Sequence, residues 1–291
     1  MKKINIFCFG FGQVAKNFIK KINTEKFSIN LSVTTREQSK AKQFNEIKYN
    51  NFIFNDEIFD NGLIENLKNS DHILISIPPI NRKDIVIKYF GEVIKQCNPK
   101  WITYLSATSV YGDHKGEWVN EESETNPKST SGIGRLEAEK SWITFTANSK
   151  LPFQIFRLSG IYSNQKNILA RLKSGNVNLI NKKNQFFSRI HVEDIANVLF
   201  KSLSNFKTGE IYNISDDKPA SMEEVTLYGV KLLNVDIPKV IEVKDIDSEM
   251  LKSFYKDSKK VSNKKMKSFF DYKLKFPTYV EGLNYIRNNL V

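Results

Sequence analysis

Two short stretches hold residue types at spacings that chemistry uses. In FCFGFGQVAKNF (7–18), Gly10, Gly12 and Ala15 form Gly-x-Gly-x-x-Ala between an apolar run and a helical pattern. The first glycine permits a tight turn, the second lets a backbone approach a pyrophosphate, and the alanine lets helix and strand pack closely. Phe11, Gln13 and Val14 complete this turn, where a helix start offers N–H groups to an anion. In STSGIGRLEAEK (129–140), a serine-capped helix start carries Gly132 and Gly134 in its first turn. Each glycine costs about 1 kcal/mol against alanine in a helix interior, so something is expected to lie close to this backbone. Ser131 and Arg135, four residues apart, share one helix face.

The strand expected after the first helix ends in VTTREQ (33–38). An acidic residue at such a tip would bind the ribose 2′-hydroxyl of NAD, whereas arginine offers paired donors to the 2′-phosphate of NADP. Thr34, Thr35 and Arg36 stand there, which favours NADP; Glu37, one residue on, keeps NAD open. In YGDHKGEW (111–118), His114 is the one titratable side chain near its loop with an ordinary pKa suited to proton transfer at neutral pH.

The elements that would position these residues alternate. Strands are expected at INIFCF (4–9), FSINLSVTT (27–35), NFIF (51–54), HILISIP (72–78), WITYLS (101–106), FQIFRLS (153–159) and EIYNIS (210–215). Helical patterns lie at QVAKNFIKKI (13–22), EQSKAKQF (37–44) and near 61–69, 82–96, 133–147 and 192–204. This order predicts an α/β fold built on a doubly wound parallel sheet. The dinucleotide-binding domain is expected over 1–162, completed by about 186–215; residues 163–185 and 216–291 form a small substrate cap.

Composition narrows the classes. The chain has 291 residues, 40% hydrophobic, and no apolar run approaching the roughly 18 residues of a membrane span, so a cytoplasmic protein is expected. Cys8 and Cys97 have no ligand-spaced partners, which argues for buried thiols and against a metal site or disulfide. The formal charge of +12 suits an anionic small-molecule substrate. The lysine run KDSKKVSNKKMK (256–267) lacks a nucleic-acid signature and reads as a solvated surface.

Taken together, 104–142, FRLSGIY (156–162), SRIHVEDIANVL (188–199) and YNISDDKPASMEEV (212–225) resemble the NAD-dependent epimerase/dehydratase branch of the short-chain dehydrogenase/reductase family. More narrowly, the chain looks like that branch's atypical bacterial members. The resemblance implies a Rossmann sheet and a homodimer. It adds Ile77, Pro78, Ser106 and Gly160 to the cofactor-binding set, and places Tyr162 on a loop bordering the nicotinamide, where aromatic packing is its first reading and proton donation its second. The family's catalytic Ser or Thr and its Tyr-x-x-x-Lys pair fall on Ala107, Ser131 and Arg135, so all three positions differ. Serine's hydroxyl cannot replace the tyrosine unaided, and arginine stays protonated; Arg135 is left to clamp a ribose or phosphate, or to pair with Glu139 on the surface. Proton transfer would pass to His114, Tyr162 or a hydroxyl of the 106–108 loop, Thr108 among them. Arg189 is a candidate for a substrate phosphate, while His191 reads as structural first and Asp194 as a helix opener. The implied function is an NADP-binding oxidoreductase or epimerase acting on a small hydroxyl or carbonyl compound, nucleotide sugars included. The alternative is a catalytically inactive NADP(H) sensor.

Overall fold

The computed structural model describes residues 3–37, 43–56, 58–180, 182–248, 252 and 254–289. The chain divides into two compact units. Unit 1 comprises Met1–Ala107, Ile133–Arg157 and Ile195–Tyr212; unit 2 comprises Thr108–Gly132, Leu158–Asp194 and Asn213–Val291.

Unit 1 is built on a sheet. Its strands are β1 (Ile4–Phe9), β2 (Ile29–Thr35), β3 (Gln43–Phe44), β4 (Ile47–Ile53), β5 (His72–Ile75), β6 (Trp101–Ala107), β7 (Phe153–Leu158) and β8 (Ile211–Ile214). They lie in the order β8-β7-β6-β5-β1-β2-β4-β3. The pairs β1–β2, β1–β5, β2–β4 and β5–β6 are parallel. Central strands with both faces covered become almost continuously apolar, and Ile6–Phe9 and Ile73–Ile75 are accordingly buried.

The helices are α1 (Gln13–Thr24), α2 (Gly62–Lys68), α3 (Ile85–Gln96), α4 (Thr130–Ser149) and α5 (Val192–Ser202). Helix α1 buries Val14, Ala15, Phe18, Ile19 and Ile22, a one-face stripe. Helix α3 starts at Asp84, whose Oδ1 accepts from the N–H groups of Val86 and Ile87, both at 3.0 Å. One core gathers Phe7, Phe9, Leu63, Phe90, Tyr104 and Trp142. Both cysteines are buried thiols, and burial pushes Cys8 up to about 12.

The helix expected over 37–44 is not formed where the structure describes it. Residues 38–42 lie outside the described residues, and Gln43–Phe44 pairs antiparallel with Ile47–Lys48. Asn45 and Glu46 both take left-handed backbone, φ 45° and 66°, which closes a two-residue hairpin. The strand expected at 51–54 starts four residues earlier, at Ile47.

Unit 2 has its own core of Tyr162, Ile168, Leu169, Val225, Tyr279 and Leu283. Its helices include Ile168–Lys173, Met222–Leu233, Lys264–Phe269 and Tyr279–Asn288. Its short parallel strand pairs are Gly160–Tyr162 with Arg189–His191, Leu179–Ile180 with Val240–Ile241, and Trp118–Val119 with Lys260–Val261. The lysine-rich run is part of this architecture: Lys259 is buried with Nζ donating to Gly112 O at 2.7 Å, and Lys267 pairs with Asp217 at 2.9 Å.

Candidate functional site

In unit 1 the glycine turn is held by its neighbours. Gly10 has φ +91°, and a Cβ there would lie 2.7 Å from Ile77 Cγ2 and 2.8 Å from Ser76 Oγ. Only glycine accepts both conditions. The Gly10 N–H donates to Thr34 Oγ1 at 2.8 Å, and Ser76 Oγ lies 3.0 Å from the carbonyl oxygens of Phe9 and Gly10. Thr34 and Ser76 thus clamp the turn, a role that glycine spacing alone did not reveal.

Gly12 differs in its surroundings. It precedes α1 as N-cap, makes no side-chain cap, and has no acidic residue in the turn that follows. A Cβ at Gly12 would meet nothing within 4 Å. The structure therefore leaves open space beside Gly12 at the start of α1. Phe11 leans away onto Phe44 and Tyr49, with ring centroids at 5.6 and 5.1 Å, and Lys16 Nζ sits 5.7 Å from the Phe11 ring. This aromatic wall went unseen in the sequence because the hairpin that carries it was read as helix.

At the β2 tip, Thr35 Oγ1 donates to Glu37 O at 2.7 Å, while Arg36 is exposed and forms no hydrogen bond or ion pair among the described residues. Ile77 covers Gly10, and Pro78 is exposed. Ser106 is buried near the end of β6.

Arg135 is half-buried. Its Nη1 donates to Leu105 O at 2.6 Å and reaches Tyr104 Oη at 3.3 Å. The Arg135–Glu139 surface pair is not formed, because Glu139 is buried and held in a bidentate grip by Arg157, with Nη2–Oε2 at 2.8 Å. What lies against the two helix glycines is the protein itself. A Cβ at Gly132 would come within 2.7 Å of Ser109 O, and one at Gly134 within 3.4 Å of Arg82 Cα. No ligand is needed to explain either residue.

The remaining sequence candidates lie in unit 2, and several are engaged there. Thr108 opens a 3-10 turn, Thr108–Tyr111, whose Tyr111 hydroxyl donates to Asn213 Oδ1 at 2.7 Å. Ser131 is exposed, its Oγ 3.5 Å from Ser129 Oγ. His114 places Nε2 3.2 Å from Glu124 O, and its own N–H donates to Ser258 O. Gly160 is exposed and donates its N–H to Ser188 O at 3.0 Å.

Several expectations are corrected. Tyr162 is not poised as a proton donor: it is buried, donates weakly to Thr278 O at 3.4 Å, and packs edge-on to His191 at 5.1 Å. Burial foremost, then Asp216 and Asp194, push its phenol well above the usual tyrosine range. Arg189 does not face an open phosphate site. It is buried, with Nη1 donating to the carbonyls of Phe187 and Ala220 at 2.9 and 2.8 Å. His191 is buried, with Nδ1 accepting from Glu193 N at 3.2 Å and its ring 4.1 Å from that of Phe276, but its Nε2 has no hydrogen-bond partner, so it is not the satisfied histidine expected. Asp194 does not open the helix, which starts at Val192; from within its first turn the Asp194 carboxylate accepts from Tyr272 Oη, Lys275 N and Phe276 N. No cluster of three or more metal-ligating side chains forms among the described residues, and none of their helices is long and apolar enough to cross a membrane.

The family model described as NAD dependent epimerase/dehydratase matches residues 89–215. A functionally unknown conserved protein from Silicibacter pomeroyi is 31% identical, with 98% of each chain covered and a TM-score of 0.87. The chain belongs to the NAD-dependent epimerase/dehydratase family. Solved structures of similar fold include dTDP-glucose 4,6-dehydratase from Bacillus anthracis in complex with NAD and UDP-glucuronic acid 4-epimerase from Bacillus cereus in complex with NAD. The dehydratase is 18% identical over 98% of this chain and 96% of that one, with TM-score 0.78. The epimerase is 15% identical over 98% and 99%, with TM-score 0.76. None of the curated proteins matches the chain in sequence. The α/β Rossmann sheet expected from the alternation of elements is the fold these family structures share.

Proposed function

We propose that unit 1 binds NADP(H) and that the protein exchanges hydride between it and a small anionic hydroxyl or carbonyl compound. The observation that supports this reading best is the open, uncapped start of α1 at Gly12, beside a turn that only Gly10 can make. Phe11, Gly12, Gln13 and Val14 would hold the pyrophosphate, Thr35 and Arg36 the adenosine ribose and its 2′-phosphate, and Ile77, Pro78, Ser106 and Arg135 the other half. The cofactor, when bound, supplies or takes the hydride; the chain binds, orients and charges. The distant relatives solved with UDP-glucuronic acid or UDP-glucose support a nucleotide sugar as one form of the anion. Titration with NADPH and NADH tests the cofactor. Arg36→Ala should weaken NADPH about tenfold, the loss of about 1.4 kcal/mol, and leave NADH unchanged; equal effects on both would remove the NADP preference.

A second reading, an NADP(H) sensor without turnover, is favoured by one observation. His114 Nε2 lies 3.2 Å from the Glu124 carbonyl and the Tyr162 phenol is enclosed, so both candidate proton donors are engaged within unit 2. Oxidation of bound NADPH by any member of a carbonyl panel selects the enzyme. Assembly that differs between NADP⁺ and NADPH, with no turnover, selects the sensor.

A further inference from the structure

A face of a parallel sheet that helices cover is ordinarily apolar along its whole length. The face of unit 1 against α2 keeps this pattern where Phe7 and Phe9 join Leu63 and Leu67 in the core. Toward the amino edge the same face turns polar: strand alternation and register put Asn5 in line with Asn30, and Phe7 in line with Ser32 and Asn50. Helix α2 meets them with Asn66 rather than with an apolar side chain. A groove of about 590 Å³ opens there, lined by Asn5, Asn30, Asn50, Asn66 and Asn69, with the exposed Phe27 also on its wall. That volume lies in the range of small-molecule sites.

The amides are set in place by one another. Asn66 is the anchor: its Oδ1 accepts from Ser32 Oγ at 3.2 Å and from Asn50 Nδ2 at 3.1 Å, and its Nδ2 donates to Gly62 O at 3.0 Å. Asn30 Nδ2 donates to Asn5 Oδ1 at 2.7 Å, and Asn69 Nδ2 to Glu65 O at 3.0 Å. Asn30, Asn50 and Asn69 each use one N–H in this way and keep a carbonyl oxygen and a second N–H unpaired among the described residues. An acceptor beside a donor suits a hydroxyl, which gives one hydrogen bond and takes others. Charge selects further. An anion would meet three amide oxygens, a cation would meet Lys3 and Lys48 against the single acid Glu46, and a neutral ligand meets neither cost. The Phe27 ring adds a flat apolar surface of the kind that packs on the C–H face of a sugar ring.

We propose that this groove is a binding site for a neutral carbohydrate, a mono- or disaccharide held through its hydroxyls by the asparagine amides. It lies at the amino edge of the sheet, with about 16 Å of extended chain along β1 between Asn5 and Gly10. The site is therefore separate from the Gly10 turn, and its occupancy does not depend on the reading of that turn.

The test is titration of the full chain with glucose, N-acetylglucosamine, maltose and sucrose, followed by saturation-transfer NMR, beside Asn50→Leu and Asn30→Leu. Both residues are exposed, so both variants should unfold at the temperature of the parent. At least one of the sugars should bind the parent with a dissociation constant of about 1 mM or tighter, and each variant should bind it at least about tenfold more weakly. Whatever the parent's affinity for NADPH, Asn50→Leu should keep it. Binding of none of the four sugars, equal sugar affinity in parent and variants, or loss of NADPH affinity together with sugar affinity in Asn50→Leu would each overturn the proposal.

Discussion

The side chains read as functional in the sequence are engaged to different degrees in units 1 and 2. In unit 1, Thr34 and Ser76 hold the Gly10 turn in shape, while Gly12, Arg36 and Ser106 leave open space, an exposed cation and an unsatisfied hydroxyl. In unit 2, His114, Tyr162 and Arg189 are turned onto backbone carbonyls of their own unit. Gly12, Arg36 and Ser106 stand without side-chain partners, whereas His114, Tyr162 and Arg189 are engaged within unit 2.

Unit 1 also contains the most consequential single interaction. Arg157→Met would leave the Glu139 carboxylate buried without its partner, and a loss of about 3–5 kcal/mol is expected in urea unfolding. Adding Glu139→Leu should recover most of it, because an apolar pair replaces a buried ionic one at little cost. A small loss in the single variant would mean the pair is wetter than its burial implies.

Acid should strain both units through buried neutral histidines. Burial lowers His72 in unit 1 and His191 in unit 2 from 6.5 to about 4. A depressed folded pKa means that the unfolded chain binds the proton first. Each histidine's contribution is complete above pH 6.5 and is lost as pH falls from there through about 4. Full loss would reach about 3 kcal/mol per histidine. Around His191 stand Glu193, Lys275 and Asp194, which titrate or respond too, so the difference between parent and His191→Asn is the informative curve. The variant should show a shallower acid limb over that window; parallel limbs would rule the histidine out.

A smaller effect separates structure from chemistry in unit 2. A Cβ at Gly282 would sit 2.1 Å from Tyr162 Oη, so Gly282→Ala should cost about 1–3 kcal/mol. Tyr162→Phe alone should cost about 1 kcal/mol or less, should not slow any NADPH oxidation that is found, and should relieve part of the Gly282→Ala penalty. A tenfold fall in rate for Tyr162→Phe would return the phenol to the chemistry.

The sheet was legible because strand and helix periods alternate along unit 1, and the glycine turn because Gly10 and Gly12 serve distinct steric needs at fixed spacing. The 43–48 hairpin was not, since its turn uses Asn45 and Glu46 in left-handed backbone with no glycine to announce it. Arg135 misled for another reason: its partner is the Leu105 carbonyl, a group every residue carries, so no sequence spacing could point to it. Tyr162 and Gly282 meet across more than a hundred residues, and only the folded chain of unit 2 shows that the phenol is enclosed.

The central claim, that unit 1 keeps a working dinucleotide cradle, is tested most directly at Gly12. Its φ of −82° suits any residue and no atom lies where a Cβ would go, so Gly12→Asp should fold as the parent does. The new carboxylate would fill the cradle, cap α1 and repel a pyrophosphate. Calorimetric titration should show NADPH binding to the parent and at least about a hundredfold weaker binding to Gly12→Asp at an equal unfolding temperature. Equal NADPH affinity in the two proteins, or none in the parent, would contradict the account.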